Sequence, residues 1–289
     1  MKVFHSLAIA ILVCLFSACT MLKLTPSKKV VSIKFDETST NESYRFIHQD
    51  TVNSPELITL LSLYDLDKIA EGEGGEMDKI LQLLQWTNSR WQHSGSNKPS
   101  KSNTLTILKE AESGKKFRCV EYGIVLKSVL ASNDFKARTL SLKTKDVEKV
   151  RLGAGHVLTE AWSNAYNKWF MLDAQFNIVP VQESVPLNAV ELQKAIIENA
   201  DFQLVDSKGE VSPKRRKKYL NFVSHYLYYF DYKFDQREIA YDSLFKVNDH
   251  AVLMLVPIGA KSPSVFQRKY EMDFVEYTHS LNDFYRRPE

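Results

Sequence analysis

The feature of the sequence that most constrains the fold is a pair of strand-forming segments separated by a short turn. HVLTEAWS (156–163) and KWFMLD (168–173) flank the turn NAYN and alternate as neighbouring antiparallel strands do. KARTLSL (136–142) has the character of another strand, IVPV (178–181) adds an edge, and AVLMLVPI (251–258) predicts a buried strand. Because helical segments come first and a run of strands follows, the order of elements predicts an α+β fold.

Helical patterns fill most of the chain between residues 54 and 131. Ser54 as cap and Pro55 in the first turn open a helix that continues through LITLLSLYDLDKIA to residue 70. Apolar residues at helical spacing predict a second helix over 77–92 and a short third one over 105–112. A mostly apolar helix then follows Cys119 and ends at the turn SNDF.

The outer parts of the chain carry weaker patterns. VVSIKF (30–35) predicts a strand, Asn188 caps a helix over 188–200, and Ser212-Pro213 opens another helix that runs through KRRKKYLNFVSHYLYYF to residue 230. We therefore divide the chain into a tether with an N-terminal strand (19–53), a core (54–187), and a C-terminal α/β extension that packs on the core (188–289).

The first residues predict a targeting signal rather than a part of the folded domain. Lys2, an apolar run over 7–16, and the small residues Ser17 and Ala18 precede Cys19, which is the layout of a bacterial secretory signal. The stretch resembles a lipobox, with Phe16 where Leu is usual, so we expect a lipoprotein signal over 1–18, lipidation of Cys19, and a lipid-anchored protein of the bacterial cell envelope. Ordinary cleavage after Ala18 and an uncleaved anchor are the alternatives.

The composition narrows the class of partner. The formal net charge of +3 is too small to indicate a nucleic-acid-binding face. The chain contains no HExxH, no paired CxxC and no acidic calcium loop, so no metal or other cofactor is expected, and no GxSxG is present to indicate a serine esterase. The remaining histidines favour surface or core positions over ligation, and they are His48, His93, His225, His250 and His279.

Cysteine usage singles out one thiol. The chain has three cysteines, of which Cys14 lies in the signal and Cys19 is the predicted lipidation site. Cys119 is then the only thiol of the mature chain, and it is either a buried inert side chain or a group used for chemistry.

Cys119 has two suitable partners further along the chain. His156 begins one predicted strand and Asp173 ends the next, so antiparallel pairing brings them together. The dipole at the start of a helix and a neighbouring imidazolium both favour the thiolate of Cys119. His156 is then a candidate acid and base, Asp173 orients it, and the backbone N–H of Cys119 is a candidate oxyanion donor. For the second oxyanion donor the sequence offers Trp91 and Gln92.

Residues 79–181 resemble the transglutaminase-like superfamily. The matching features are a cysteine that begins a helix after a Gly-containing loop, the strand end Lys136-Ala137-Arg138, the pair Gly155-His156 before a strand with Glu160 and Trp162, and W-x-x-x-D from Trp169 to Asp173. Two features depart from the pattern. Residues 115–118 intervene between Gly114 and the cysteine, and the bulk of Phe117 and Arg118 predicts a narrower groove. Ala174 stands where Pro is frequent.

The resemblance implies a papain/transglutaminase-like core of N-terminal helices packed on an antiparallel sheet, with a catalytic triad of Cys119, His156 and Asp173. It implies a thiol enzyme that acts on amide bonds of a protein or peptide, with cell-wall peptide among the candidates, through a thioester that passes to water or to an amine. Water is slightly favoured as the acceptor. The alternative is a non-catalytic scaffold lipoprotein that keeps the fold and binds peptide or glycan.

Two further groups have ordinary interpretations. The basic run 214–218 is either a solvated helix turn or a contact for anionic headgroups or envelope polymer. The aromatic residues at helical spacing on either side of residue 225 favour core or interface packing over a carbohydrate platform, and they are Tyr219, Phe222, Tyr226, Tyr229 and Phe230.

Overall fold

The computed structural model describes residues 30–71 and 74–289 of the chain. The predicted signal segment and the predicted lipidation site, Cys19, lie outside the described residues. The described part contains eight α-helices, which are α1 (Glu56–Leu63), α2 (Leu66–Ala70), α3 (Glu76–Asn88), α4 (Thr104–Glu112), α5 (Cys119–Ala131), α6 (Ala189–Ile197), α7 (Pro213–Val223) and α8 (Leu281–Phe284). Two short 3₁₀ helices span Ser224–Tyr226 and Tyr241–Ser243.

Twelve strands of the described residues form three sheets. The strands are β1 (Ala137–Lys143), β2 (Gly155–Ser163), β3 (Lys168–Leu172), β4 (Val179–Gln182), β5 (Val185–Pro186), β6 (Gln203–Asp206), β7 (Gly209–Glu210), β8 (Tyr229–Lys233), β9 (Val252–Leu255), β10 (Val265–Phe266), β11 (Tyr270–Glu271) and β12 (Val275–Thr278). The central sheet has six strands in the order β12-β9-β8-β1-β2-β3, β5-β4-β6-β7 form a second sheet, and β10-β11 form a hairpin.

The central sheet is antiparallel except at one edge. β1 pairs with β2 from Ala137↔Ala161 to Lys143↔Gly155, and β2 continues into β3 across the predicted turn. On its other side β1 pairs with β8, while β9 and β12 pair in parallel. The predicted C-terminal extension (188–289) therefore contributes three strands to the same sheet as the predicted core.

The helices before β1 gather on one face of this sheet. α5 lies against β1 and β2, and a Cβ at Gly123 would come within 2.9 Å of Val157 Cγ1, so only glycine permits the observed approach of helix and strand. The opposite face carries Leu140, Leu142 and Leu158, which pack with apolar side chains of α6 and α7. The α+β class and the packing of N-terminal helices on an antiparallel sheet, both predicted from the sequence, are confirmed.

Several of the predicted helices have different bounds, and the one predicted over 188–200 ends at Ile197. The first is broken into α1 and α2 because Asp65 adopts a left-handed conformation (φ 48°) between them. The second ends at Asn88, and Trp91 fills the core from the loop that follows it. The helix predicted from Pro213 to residue 230 ends at Val223. Tyr229 and Phe230 belong to β8 instead, since an aromatic run is compatible with a strand as well as with a helix.

The strand predicted over 30–35 is absent. This segment makes separate backbone hydrogen bonds, from Ile258 N to Lys34 O and from Asp36 N to His279 O, both at 2.8 Å, instead of a continuous ladder. Its apolar side chains Ile33 and Phe35 pack against the core, and this packing explains why the sequence alternates like a strand.

Candidate active site

Cys119 is the first residue of α5, as the sequence predicts. The helix start is fixed by Glu121, whose carboxylate accepts from the backbone N–H of Arg118 at 3.0 Å and from its guanidinium Nε at 3.2 Å. Phe117 is fully buried against Trp91, and its carbonyl accepts from Ser94 N at 2.8 Å. The approach to Cys119 is therefore anchored in the core, and the bulk of Phe117 lies in the interior.

His156 and Asp173 meet as the strand pairing predicts. His156 is the second residue of β2, and Asp173 follows β3 directly and is held by the hydrogen bond from its backbone N–H to Ile178 O at 2.9 Å. The distance between His156 Nε2 and Asp173 Oδ2 is 2.7 Å, and the two side chains are 1% and 0% exposed. Burial makes this interaction strong, because no water competes for the carboxylate.

The thiol of Cys119 completes a line of contacts with these two residues. It lies beside the imidazole of His156 and the backbone N–H of Val157, both of which lower its pKa. Burial favours the neutral thiol, but the hydrogen bond and charge of His156 outweigh it, and the pKa of Cys119 is lowered from its ordinary value. The structure thus brings all three predicted site residues together.

The electrostatics of His156 are set mainly by two opposing effects. Burial favours the neutral imidazole, whereas the charge and hydrogen bond of Asp173 favour the imidazolium, with a further contribution from Cys119. The effect of the Asp173 carboxylate exceeds that of burial, and the pKa of His156 is raised to about 10. A lowered thiol pKa beside a raised imidazole pKa favours the thiolate–imidazolium form of the pair.

Helix α7 and the residues after it cover the imidazole, a role that the sequence pattern left open. The ring of Phe222 meets His156 edge-on with centroids 5.0 Å apart, and Tyr226 lies 5.9 Å away. The buried hydroxyl of Tyr219 lies beside Asp173 without a well-aligned hydrogen bond, and burial together with the carboxylate raises its pKa well above the ordinary value. These aromatic residues show helical spacing, but only the tertiary fold reveals that they face His156.

The two candidates for the second oxyanion donor differ in their surroundings. The side chain of Gln92 is exposed and accepts a hydrogen bond from Lys116 Nζ at 2.8 Å. Trp91 is buried beside Tyr122, with ring centroids 4.5 Å apart, and its indole N–H has no hydrogen-bond partner among the described residues. The amide N–H groups of Gln92 are also unpaired among the described residues, but they face water, whereas the unpaired indole N–H of Trp91 is buried.

His93 is a neighbour that sequence reasoning did not assign to the site. Burial and the charge of His156 lower the pKa of His93, while Asp173 raises it, so the three groups are electrostatically coupled. His93 lies in the loop between α3 and α4, two residues after Trp91. The only available signal was its closeness in sequence to the proposed oxyanion donors.

A cleft of about 470 Å³ opens beside Cys119 and His156. It runs between α5, the strands β1 and β8, and the β10–β11 hairpin, and its lining includes Val120, Phe266 and Met272. Among residues 30–71 and 74–289, no group of three or more His, Cys, Asp or Glu side chains could hold a metal ion. None of the helices in that part of the chain is both long and apolar enough to cross a membrane.

Comparison with known proteins gives distant structural similarities. No family model and no curated protein matches the chain. A candidate cysteine protease from Cytophaga hutchinsonii is similar over 50% of this chain and 62% of that one, with 12% identity and a TM-score of 0.34. The periplasmic domain of TgpA from Pseudomonas aeruginosa, solved with ethylmercury, is similar over 43% of this chain and 44% of that one, with 15% identity and a TM-score of 0.31. The matched region is thus less than two thirds of either of those chains.

Proposed function

We propose that the chain is a thiol enzyme of the transglutaminase-like class that attacks amide bonds of a protein or peptide through Cys119. The observation that carries the proposal is the unbroken line of contacts from Cys119 through His156 to Asp173 at the edge of a cleft. A structural cysteine needs neither a charged imidazole nor a buried carboxylate behind it.

The reaction follows from the charges of the pair. The Cys119 thiolate attacks the amide carbonyl, and the backbone N–H of Cys119 stabilises the oxyanion that forms. The imidazolium of His156 gives its proton to the nitrogen as the C–N bond breaks, which releases an amine and leaves a thioester. His156 then takes a proton from the incoming water, the C–S bond breaks, and a carboxylic acid leaves while the thiolate–imidazolium pair is restored.

Asp173 holds the imidazole in the orientation that these proton transfers require, and it offsets the positive charge. Trp91 is the proposed second oxyanion donor, because its buried indole N–H is unpaired in the described structure. A Trp91→Phe variant keeps the packing on Tyr122 and is expected to slow amide turnover about 10²–10³-fold without changing the alkylation of Cys119.

We favour hydrolysis over transfer to an amine, because water is the default acceptor in a site that opens to solvent. The sequence of the first nineteen residues supports a place in the cell envelope, with the chain anchored through a lipid on Cys19. Cell-wall peptides are therefore among the substrates to test first.

The proposal is tested by the pH dependence of iodoacetamide alkylation, followed at Cys119 by mass spectrometry of its peptide. The wild-type midpoint is expected well below the ordinary thiol pKa of about 8.5, and His156→Ala should move it to that value or higher. His250→Ala is the matched control, since this half-buried histidine pairs with Glu276 at 2.8 Å away from the cleft.

Equal, alkaline midpoints in wild type and His156→Ala would overturn the enzyme assignment. The second step is amine release from peptide amides, with Cys119→Ser as the inactive reference. A reactive thiol without any turnover would favour the scaffold alternative, in which the cleft binds peptide or glycan.

A further inference from the structure

The floor of the cleft beside Cys119 is polar, although its walls are not. Alternate residues of β1, namely Thr139, Ser141 and Lys143, line the cleft, while Leu140 points into the core on the other side of the sheet. Ser141 pairs with Asp231 on β8, so the Asp231 side chain lies on the same face and joins the floor. Lys233 lies two residues after Asp231 on β8 and also lines the cleft. The floor therefore consists of five polar side chains, which are Thr139, Ser141, Lys143, Asp231 and Lys233.

The hydrogen-bonding capacity of this floor is unevenly used. Asp231 accepts a hydrogen bond from Lys143, and the Ser141 hydroxyl lies beside the same carboxylate. Thr139 directs both its backbone N–H and its hydroxyl to the side-chain oxygen of Gln236, at 3.0 and 3.3 Å. The acceptors for these donors, Asp231 and Gln236, are therefore side chains of the protein itself.

Donors remain in excess. An ammonium group has three N–H donors, and within the described residues Asp231 is the one hydrogen-bond partner of Lys143. The Lys233 ammonium has no hydrogen-bond partner there, and the Lys233 side chain is exposed at the cleft. A ligand group that fills this floor must accept hydrogen bonds and tolerate positive charge, which describes a carboxylate.

The walls make such an interaction effective. Phe266 of the hairpin stands over the floor, with its ring centroid 5.8 Å from Lys143 Nζ, and it packs so closely on β2 that a Cβ at Gly155 would lie 3.2 Å from it. Charges in an apolar, partly desolvated cleft interact more strongly than in water. Glu271 of β11 also lines the cleft and opposes an anion, but its side chain is exposed and solvent screens its charge, whereas Lys143 is only 8% exposed.

We propose that the Lys143 and Lys233 side chains on this floor bind a carboxylate of the substrate, next to the amide that Cys119 attacks. The substrate class is then an acidic peptide, with the carboxylate on a side chain or at the chain terminus. This subsite rests on the proposed function, because it places the carboxylate relative to the reactive sulfur.

Three electrophiles of nearly equal size test the proposal on the purified chain. The first is the α-amide of N-iodoacetyl-glutamate, which has a side-chain carboxylate. The second is N-iodoacetyl-glutamine, which has a terminal carboxylate. The third, N-iodoacetyl-glutamine amide, has no carboxylate and is neutral. The readout is the rate of Cys119 alkylation by each acid relative to the neutral amide, because this ratio cancels the intrinsic reactivity of the thiol.

At least one acid is expected to react about tenfold faster than the neutral amide, which is the scale of one charge-assisted hydrogen bond. Preference for the first probe assigns a side-chain carboxylate, and preference for the second assigns a terminal one. Ratios near one for both acids would overturn the subsite while leaving the thiol chemistry intact. Slow reaction of Cys119 with iodoacetamide itself contradicts the proposed function, and the subsite falls with it.

Variants of the floor residues show which side chains cause the preference for acidic probes. Lys143→Gln alone strands the buried Asp231 charge, so the useful variant is Lys143→Gln with Asp231→Asn, which replaces the ion pair by a neutral pair of similar size. This double variant is expected to lose most of the acid preference, and Lys233→Gln part of it. Lys145→Gln is the charge-matched control, because Lys145 is exposed and does not line the cleft. An acid preference that survives in the double variant would refute the assignment to this floor.

Discussion

The most demanding test of the fold concerns the buried ion pair between Arg138 and Glu160. Arg138 Nε and Nη2 donate to Glu160 Oε2 at 3.0 and 2.6 Å, and Nη1 donates to the carbonyl oxygen of Phe284 at 2.9 Å. The guanidinium also lies 3.9 Å from the ring centroid of Tyr232 and 4.4 Å from that of Trp169. Both charged side chains are essentially inaccessible, at 1% and 0% exposure.

Arg138→Met keeps the bulk and removes the charge. It leaves a buried carboxylate without its main donor, and the loss of one partner of a buried pair costs about 3–5 kcal/mol of unfolding free energy. Adding Glu160→Leu removes the stranded charge, and the Phe284 carbonyl still accepts from the Tyr232 hydroxyl at 2.7 Å, so the remaining cost is that of the Tyr285 hydroxyl, which loses its acceptor, at about 1–3 kcal/mol. The double variant is therefore expected to be about 2 kcal/mol more stable than Arg138→Met.

Urea unfolding, followed by tryptophan fluorescence and by circular dichroism, measures these changes. With a slope of about 3 kcal/mol per molar urea, the single variant should shift the midpoint down by about 1 M or more. Arg90→Met serves as the control, because Arg90 stacks on Trp86 at 4.5 Å on the surface and its loss should cost less than about 1 kcal/mol. A single variant as stable as this control, or a double variant no better than the single one, would refute the reasoning.

Three more predictions follow from contacts described above. Asp173→Asn should raise the pH midpoint for alkylation of Cys119 by about 1–3 units. Asp173 keeps His156 protonated, and the stabilisation of the thiolate by this imidazolium exceeds the direct repulsion between Asp173 and the thiolate. A lowered midpoint would show that the direct repulsion is the larger effect. Gly123→Ala should destabilise the fold by about 1–3 kcal/mol in thermal unfolding, since its Cβ would lie 2.9 Å from Val157 Cγ1, and an unchanged melting temperature would contradict the close approach. Burial and three nearby cations lower the pKa of His48 from 6.5 to about 3, so the unfolded chain binds a proton that the folded chain does not, and stability falls as the pH drops through this window by up to about 5 kcal/mol. His48→Gln should lessen this acid-side loss in urea midpoints measured across the pH range, and an identical slope would show that other groups cause it.

Local signals predicted the elements that carry the site. The alternation in 156–163 and 168–173 defined β2 and β3, and their turn length then required His156 and Asp173 to be neighbours. The start of α5 at Cys119 was equally visible, because a polar approach meets an apolar periodic run. Those inferences depend on contacts between residues close in sequence, which pattern reasoning captures well.

What the sequence did not reveal is the choice of distant partners. The strand order, with β8 beside β1, depends on Leu142 meeting Phe230, and nothing local specifies that pairing. The break at Asp65 is a single left-handed residue in an otherwise helical pattern. The placement of Phe222 over His156 and of Lys143 beside Asp231 likewise follows from the assembled sheet, so the cover and the cleft floor emerged only from the structure.

The long-range contacts of the site also determine when, during synthesis, it can form. Cys119, His156 and Asp173 emerge from the ribosome well before the residues that cover the imidazole (α7) and the hairpin that walls the cleft (β10–β11). The sheet position beside β1 stays empty until β8 is made, and the Arg138 guanidinium lacks its acceptor in Phe284 until the last described turn of helix is present. A nascent chain that stops before residue 213 therefore holds Cys119, His156 and Asp173 without the helix that covers them. Because domains fold largely as units, we expect these three side chains to reach their native surroundings only after the residues beyond 213 have been made.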